Sequence, residues 1–298
     1  ESYGWYADVA FHAAAPDDGT LRQRAIAPAM RVAVTLWIAL AGAAGGALVG
    51  TVLIILACVL AATGYLRPAL AGAAPTTGAS TAMLETFVLF LLLLIGGLAL
   101  LSAAEQLFGV RPTTHLMWLL LPIALLPLLR GVSRDDWRTT IGWNRGRGFI
   151  REIGCGILGY IAGAPIFLVG LLVVILITQV TGAQPTHPLV EQTLADEGGF
   201  WRTVSLFALA CGWAPIVEET FFRGAFYGHL RRRWYVLPAA IVSASIFAII
   251  HPFGWITFPA LAAIGLNLAL IREWRGSLIA PMTAHALHNA IVLTMAVL

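Results

Sequence analysis

Ala214-Pro215-Ile216-Val217-Glu218-Glu219-Thr220-Phe221-Phe222-Arg223-Gly224 sets two adjacent glutamates and an arginine inside an apolar run from Trp201 to Tyr227. A run of this length can cross a bilayer, which takes about 20 mostly apolar residues as a helix. Ionisable groups in hydrocarbon cost several kcal/mol each and usually mark function. Adjacent helix residues point about 100° apart, so Glu218 and Glu219 cannot share a face. Glu219 and Arg223 are four apart and can, in the favourable acid-before-base order. Glu218 is left without a local cation, and a lone buried carboxyl suits a general base working near neutral pH. Pro215 removes a backbone hydrogen bond just before the pair and is expected to kink the helix. The alternative is that both glutamates are packing ion partners.

The rest of the chain agrees with a membrane setting. Of 298 residues, 59% are hydrophobic and only 11% charged, and the mean hydropathy is +0.84. Soluble domains carry about 25% charged residues, so a soluble enzyme, a disordered tail and a nucleic-acid binder are excluded. The net charge is only +3, every basic residue is Arg, and the arginines lie between apolar runs rather than on one basic face. Cys58, Cys155 and Cys211 have no paired spacing and read as small apolar helix residues. The first 30 residues lack an apolar h-region, so no cleavable signal peptide is expected.

Eight runs are candidate spans: Val32–Thr63, Met83–Ala104, His115–Leu129, Ile153–Val180, Trp201–Tyr227, Val236–Ile250, Ile256–Ile271 and Ser277–Leu298. The fold class expected is an all-α polytopic membrane helix bundle of about eight transmembrane helices, in the cell membrane. The first run is long enough to tilt strongly or to break at Gly42, Gly45, Gly46 or Gly50. The third is short and contains Pro122 and Pro127, as a re-entrant or half-spanning segment would. Arginines crowd the loops at 130–151, 231–233 and 272–275, whereas Glu191, Asp196 and Glu197 make another loop acidic. The positive-inside rule makes the three Arg loops cytoplasmic and the acidic loop external. The N-terminal side stays open, because it depends on how often the first and third runs cross.

The halves differ in kind. Through residue 200 the runs are Ala, Leu, Gly and Val; beyond it they hold Glu218, Glu219, Arg223, His251, His285, His288 and Asn289. Phe247-Ala248-Ile249-Ile250-His251-Pro252 puts a histidine before proline, where the chain leaves the helical region, so His251 should close its helix. Alone it would read as an interfacial or capping group. His285-Ala286-Leu287-His288-Asn289 stacks 285 and 289 on one helix face, with 288 on the flank. Interhelical hydrogen bonding is the bland explanation for that stripe.

Taken together, E-E-x-x-x-R, F-x-x-x-H and H-x-x-x-N in successive membrane runs resemble the type II CAAX prenyl endopeptidase and bacteriocin-processing (CPBP, Abi) family of intramembrane proteases. Each motif alone is a weak signal; the ordered set is a strong one, and it covers roughly residues 130–298. The resemblance implies that Glu218 and His251 activate a water, that His285 and Asn289 hydrogen-bond the developing oxyanion, and that Glu219 and Arg223 brace the site. His288 lies outside the motif. The implied organisation is an N-terminal extramembrane segment 1–31, N-terminal transmembrane helices 32–130, and a catalytic transmembrane core 131–298. The implied partners are the lipid bilayer and a membrane-associated peptide or protein substrate.

Cofactor use has two readings. Glu218, His251 and His285 form a one-carboxylate, two-imidazole set, the ligand class of catalytic zinc. No H-E-x-x-H is present, and the preferred reading is a glutamate-type protease that needs no cofactor, with Zn2+ as the alternative. Two other functions fit less well. A proton-coupled transporter usually shows paired halves with broken helices in both, and a non-catalytic membrane scaffold would not need the complete motif set. Gly78-Ala79-Ser80-Thr81 lacks the following glycine of a rhomboid-type serine motif.

Overall fold

The computed structural model describes residues 19–70, 77–109, 114–183 and 199–297. Among these the regular structure is entirely helical. Helix α1 (Gly19–Ala62) and helix α2 (Thr77–Phe108) come first. Next is α3, a 3-10 segment Thr114–Leu125 that runs into the α-turn Leu126–Leu129. Then follow α4 (Arg134–Ile141), α5 (Phe149–Ala162) and α6 (Ala164–Thr181). The composite helix α7 begins at Phe200–Phe207 and ends at Tyr227–Arg231. Helices α8 (Val236–Ile249), α9 (Phe258–Arg275) and α10 (Ile279–Val297) complete the chain.

The all-α polytopic bundle is as expected, with the number of spans not fixed at eight. Among the described residues five helices are long and apolar enough to cross a membrane: Met30–Ala62, Ala79–Phe108, Ala164–Thr181, Thr203–Arg231 and Trp255–Arg275; Leu119–Leu129 and Val236–Ile249 are shorter apolar helices. The run Ile153–Val180 is two helices, parted at Gly163. Pro165 stands in the first turn of α6, where its missing N–H costs nothing. A Cβ on Gly163 would collide with the Asn267 side chain at 2.1 Å, so the break lets α9 approach closely. The first run does not break at its glycines: α1 is continuous for 44 residues, about 66 Å, against a hydrocarbon core of about 30 Å. The third run, with its two prolines, is largely 3-10. Both the acidic loop around Glu191, Asp196 and Glu197 and residues 1–18 of the N-terminal segment lie outside the described residues.

Helix α10 packs on α5 and α7, α9 on α6 and α8, and α1 covers α5 and α6. Phe87 and Phe90 of α2 stack on Phe226 and Phe221 of α7 at 4.2 and 4.0 Å between ring centroids. Such aromatic pairs add about 0.5–1.5 kcal/mol each beyond area burial, and these fix one flank of α7.

At the Arg-rich end a polar knot ties three connections together. Ser133 caps α4 by accepting from the Asp136 amide, and Gly142 closes it with φ +92°. A Cβ there would strike the Arg272 guanidinium at 2.6 Å. The Leu278 amide donates to the Gly142 carbonyl, Asn144 donates to Gly276 O, and Ser277 donates to Asn144 O. Arg275 donates to both oxygens of the fully buried Glu152, which also accepts from the Arg147 amide. Arg231 donates to Glu273 and Arg232 to Thr140 Oγ1, so the three Arg-bearing connections lie together at one end of the bundle, as the charge pattern requires.

Candidate active site

The composite helix α7 is where backbone and site meet. Its middle alternates between π-helical Ala208–Trp213, α-helical Ala214–Glu219 and π-helical Thr220–Phe226. In the first π segment the Ala214 amide donates to Leu209 O, five residues back. The next carbonyl in that register, Ala210 O, would need the N–H of Pro215, which proline lacks. Asn289 of α10 supplies the missing donor, at 2.6 Å from its Nδ2. Pro215 therefore does more than bend the helix: it leaves a carbonyl that anchors α10 against α7. Single-turn π insertions recur at functional sites because they re-aim the side chains beyond them.

Glu219 and Arg223 are fully buried and pair at 2.9 Å. Arg223 also donates to Gly265 O at 3.0 Å and lies over the Phe247 ring at 4.5 Å. The brace therefore ties α7 to α8 and α9. Glu219 Oε1 additionally accepts from His285 Nδ1 at 2.9 Å. That contact was not legible from faces and spacing, because it joins residues 66 positions apart. A carboxylate only accepts, so the Nδ1 proton of His285 is fixed toward Glu219 and Nε2 is turned to the other side.

On that other side is Glu218. Its Oε2 is 3.7 Å from His251 Nε2 and 3.9 Å from His285 Nε2, and it is buried without a hydrogen-bond partner. His251 follows Ile250, the C-cap of α8, so the helix ends just before the His-Pro junction. Its Nδ1 donates to Phe247 O at 2.6 Å, which turns the Nε2 lone pair toward Glu218. Two imidazoles thus face one carboxylate oxygen at distances too long for direct hydrogen bonds and short enough for one water to bridge.

Of the residues singled out in the sequence, Glu218, His251 and His285 meet at one point and Glu219 and Arg223 lie behind them. Asn289 sits on the same stripe of α10 with one amide hydrogen committed to α7. His288 turns away: its Nδ1 is 3.3 Å from the Tyr160 hydroxyl, and its ring meets the Phe167 edge at 5.0 Å. Sequence reasoning missed Trp143, whose indole N–H donates to Thr220 Oγ1 at 3.0 Å and ties the Arg-rich connection to the turn after Glu219.

Glu218, His251 and His285 are the residues that would hold zinc in the alternative reading. Tetrahedral ligands about 2.1 Å from zinc lie about 3.4 Å apart, closer than either Glu218–imidazole separation. Among the described residues no group of three His, Cys, Asp or Glu side chains is gathered to hold a metal ion.

The fold and this centre define an all-α polytopic membrane protein whose last four helices enclose a carboxylate flanked by imidazoles. Residues 200–291 match the family model described as Type II CAAX prenyl endopeptidase Rce1-like. That segment contains all three motifs and marks this part of the chain as CAAX endopeptidase-like. No curated protein and no solved structure matches the chain.

Proposed function

We propose that the protein is an intramembrane endopeptidase that hydrolyses a peptide bond of a membrane-associated peptide or protein, of CAAX type or bacteriocin type. The observation that carries this reading is the buried, unpartnered Glu218 Oε2 facing His251 Nε2 and His285 Nε2. An orphaned buried oxygen costs about 1–3 kcal/mol or more, and a water held there by Glu218 and His251 removes that cost while gaining a base. Glu218 takes one proton from the water, whose second hydrogen stays on the oxygen and donates a hydrogen bond to the His251 Nε2 lone pair. The hydroxide adds to the scissile carbonyl. His285, as an imidazolium held by Glu219, donates through Nε2 to the oxyanion, and the remaining Asn289 amide hydrogen joins it. Glu218 then returns its proton to the leaving amine, so acid and base balance over the cycle.

In this reading no metal is required, residues 131–298 are the catalytic core, and helices of 32–130 shield it from lipid. The Arg-rich end faces the cytoplasm of a cell-membrane protein. The test is purified protein in nanodiscs, incubated with membrane peptides that include CAAX-type tails and leader-type segments, with products read by mass spectrometry. Discrete cleavage that disappears in Glu218→Gln is the expected result. Identical products from wild type and Glu218→Gln would reject the assignment.

A further inference from the structure

A second set of unsatisfied groups lies at the Arg-rich end, away from Glu218. Arg272 of α9 is fully buried, and its Nη2 donates to Thr140 O at 3.0 Å. Its Nε and Nη1 have no partner. Arg232, at the end of α7, donates from Nη2 to Thr140 Oγ1 at 2.7 Å, and its Nη1 is also buried without a partner. Two guanidiniums from different helices therefore converge on the carbonyl and hydroxyl of one residue. Neither forms an ion pair among the described residues. The carboxylates that act on them are engaged elsewhere: Glu273 Oε2 accepts from Tyr227 and Arg231, and Asp136 accepts from Ser133. Glu273 Oε1 has no partner, and Arg272 does not reach it.

A buried guanidinium whose N–H groups lack acceptors is destabilised, and an anion that supplies those acceptors offsets the cost. Arginine forks match the oxygens of phosphate two at a time. Basic recesses between transmembrane helices on the positive side also suit anionic lipid headgroups. We propose that Arg272 and Arg232, set on Thr140, form a phosphate-binding site between α4, α7 and α9. Arg272 is its closed end and the half-buried Arg232 its entrance. The ligand is a phosphate group, carried by a phospholipid head or by the free ion. The site is independent of the peptidase reading.

Full-length protein in detergent is titrated with phosphatidylglycerol, with phosphatidylcholine and with inorganic phosphate, and read by native mass spectrometry and thermal unfolding. Wild type should retain one phosphatidylglycerol about tenfold more tightly than phosphatidylcholine, as expected for charge-assisted hydrogen bonds to a phosphate. Arg232→Gln should abolish that preference, whereas the exposed Arg138→Gln should keep it. If the free ion is the natural source, inorganic phosphate alone raises the unfolding temperature of wild type and not of Arg232→Gln, which supports the same site. Arg272→Lys, which keeps the charge, covers the case in which Arg272→Gln does not fold, and it should bind more weakly than wild type. Equal binding of both lipids with no response to phosphate overturns the proposal. So does any preference that Arg138→Gln and Arg232→Gln reduce alike.

Discussion

Glu152 and Glu218 are both carboxylates sunk in a helical membrane protein, and they are treated in opposite ways. Arg275 and the Arg147 amide satisfy both oxygens of Glu152 within hydrogen-bonding distance. Glu218 meets two imidazoles at 3.7 and 3.9 Å and leaves Oε2 without a bond. A fully bonded buried charge holds helices in register; an under-bonded one stores the means to bind something else. Glu219 stands between the two cases. It is locked by Arg223 like a structural ion, yet it also orients His285 for the open side.

The sharpest way to break this comparison is to remove the brace rather than the base. Arg223→Ala leaves Glu219 buried with only the His285 imidazole as its partner, and breaking a buried pair of this kind should cost about 3–5 kcal/mol. Denaturant unfolding in mixed micelles should show that loss, and an unfolding midpoint equal to wild type would refute the structural role. Asn289→Ala should lower kcat by about 100- to 1000-fold with little change in KM, since an oxyanion donor acts on the transition state. A rise in KM at constant kcat would instead make Asn289 a ground-state contact.

Smaller effects sharpen the other side. Burial pushes the Glu152 carboxyl up, but the hydrogen bonds from Arg275 and the Arg147 amide outweigh it and hold the group below its ordinary value. Its stabilisation is therefore present above the unfolded-state value of about 4.3 and is lost as pH falls through the lowered folded-state value. Thermal unfolding from neutral to acid pH should show wild type keeping its advantage over Glu152→Gln until below the usual glutamate range. A gap that closes near neutrality would contradict the pairing. The smallest expected effect is that of a strong chelator, which should leave turnover unchanged. Stoichiometric zinc lost in both His251→Ala and His285→Ala, with activity lost in parallel, would move those residues from base and donor to ligands.

Much of this was legible in the residues. The Glu219–Arg223 pair follows from i,i+4 spacing, the end of α8 from His251-Pro252, and the gathering of the Arg-rich loops from their charge. The division of the run Ile153–Val180 into two helices was not, because Gly163 looks like any small residue of an apolar run until Asn267 is seen to occupy the space of its missing Cβ. The glycines of α1 misled in the other direction: lipid tolerates them within an unbroken helix when neighbouring helices or open space lie beside them. The double duty of Glu219 could not be read either, since nothing local records a contact made 66 residues away. Pro215 promised a kink; its further consequence, the Ala210 carbonyl that Asn289 caps, depends on the π register of the preceding turn.

The most direct test pairs the two carboxylates. Glu218→Gln and Glu152→Gln are nearly isosteric changes, and each protein can be assayed for unfolding temperature and for turnover of one identified peptide. We predict that Glu218→Gln keeps the wild-type unfolding temperature and loses at least about 100-fold in rate, the scale of general-base catalysis, whereas Glu152→Gln unfolds earlier and, while folded, retains its rate. Full turnover in Glu218→Gln, or an equal loss of stability in both variants, would contradict the prediction.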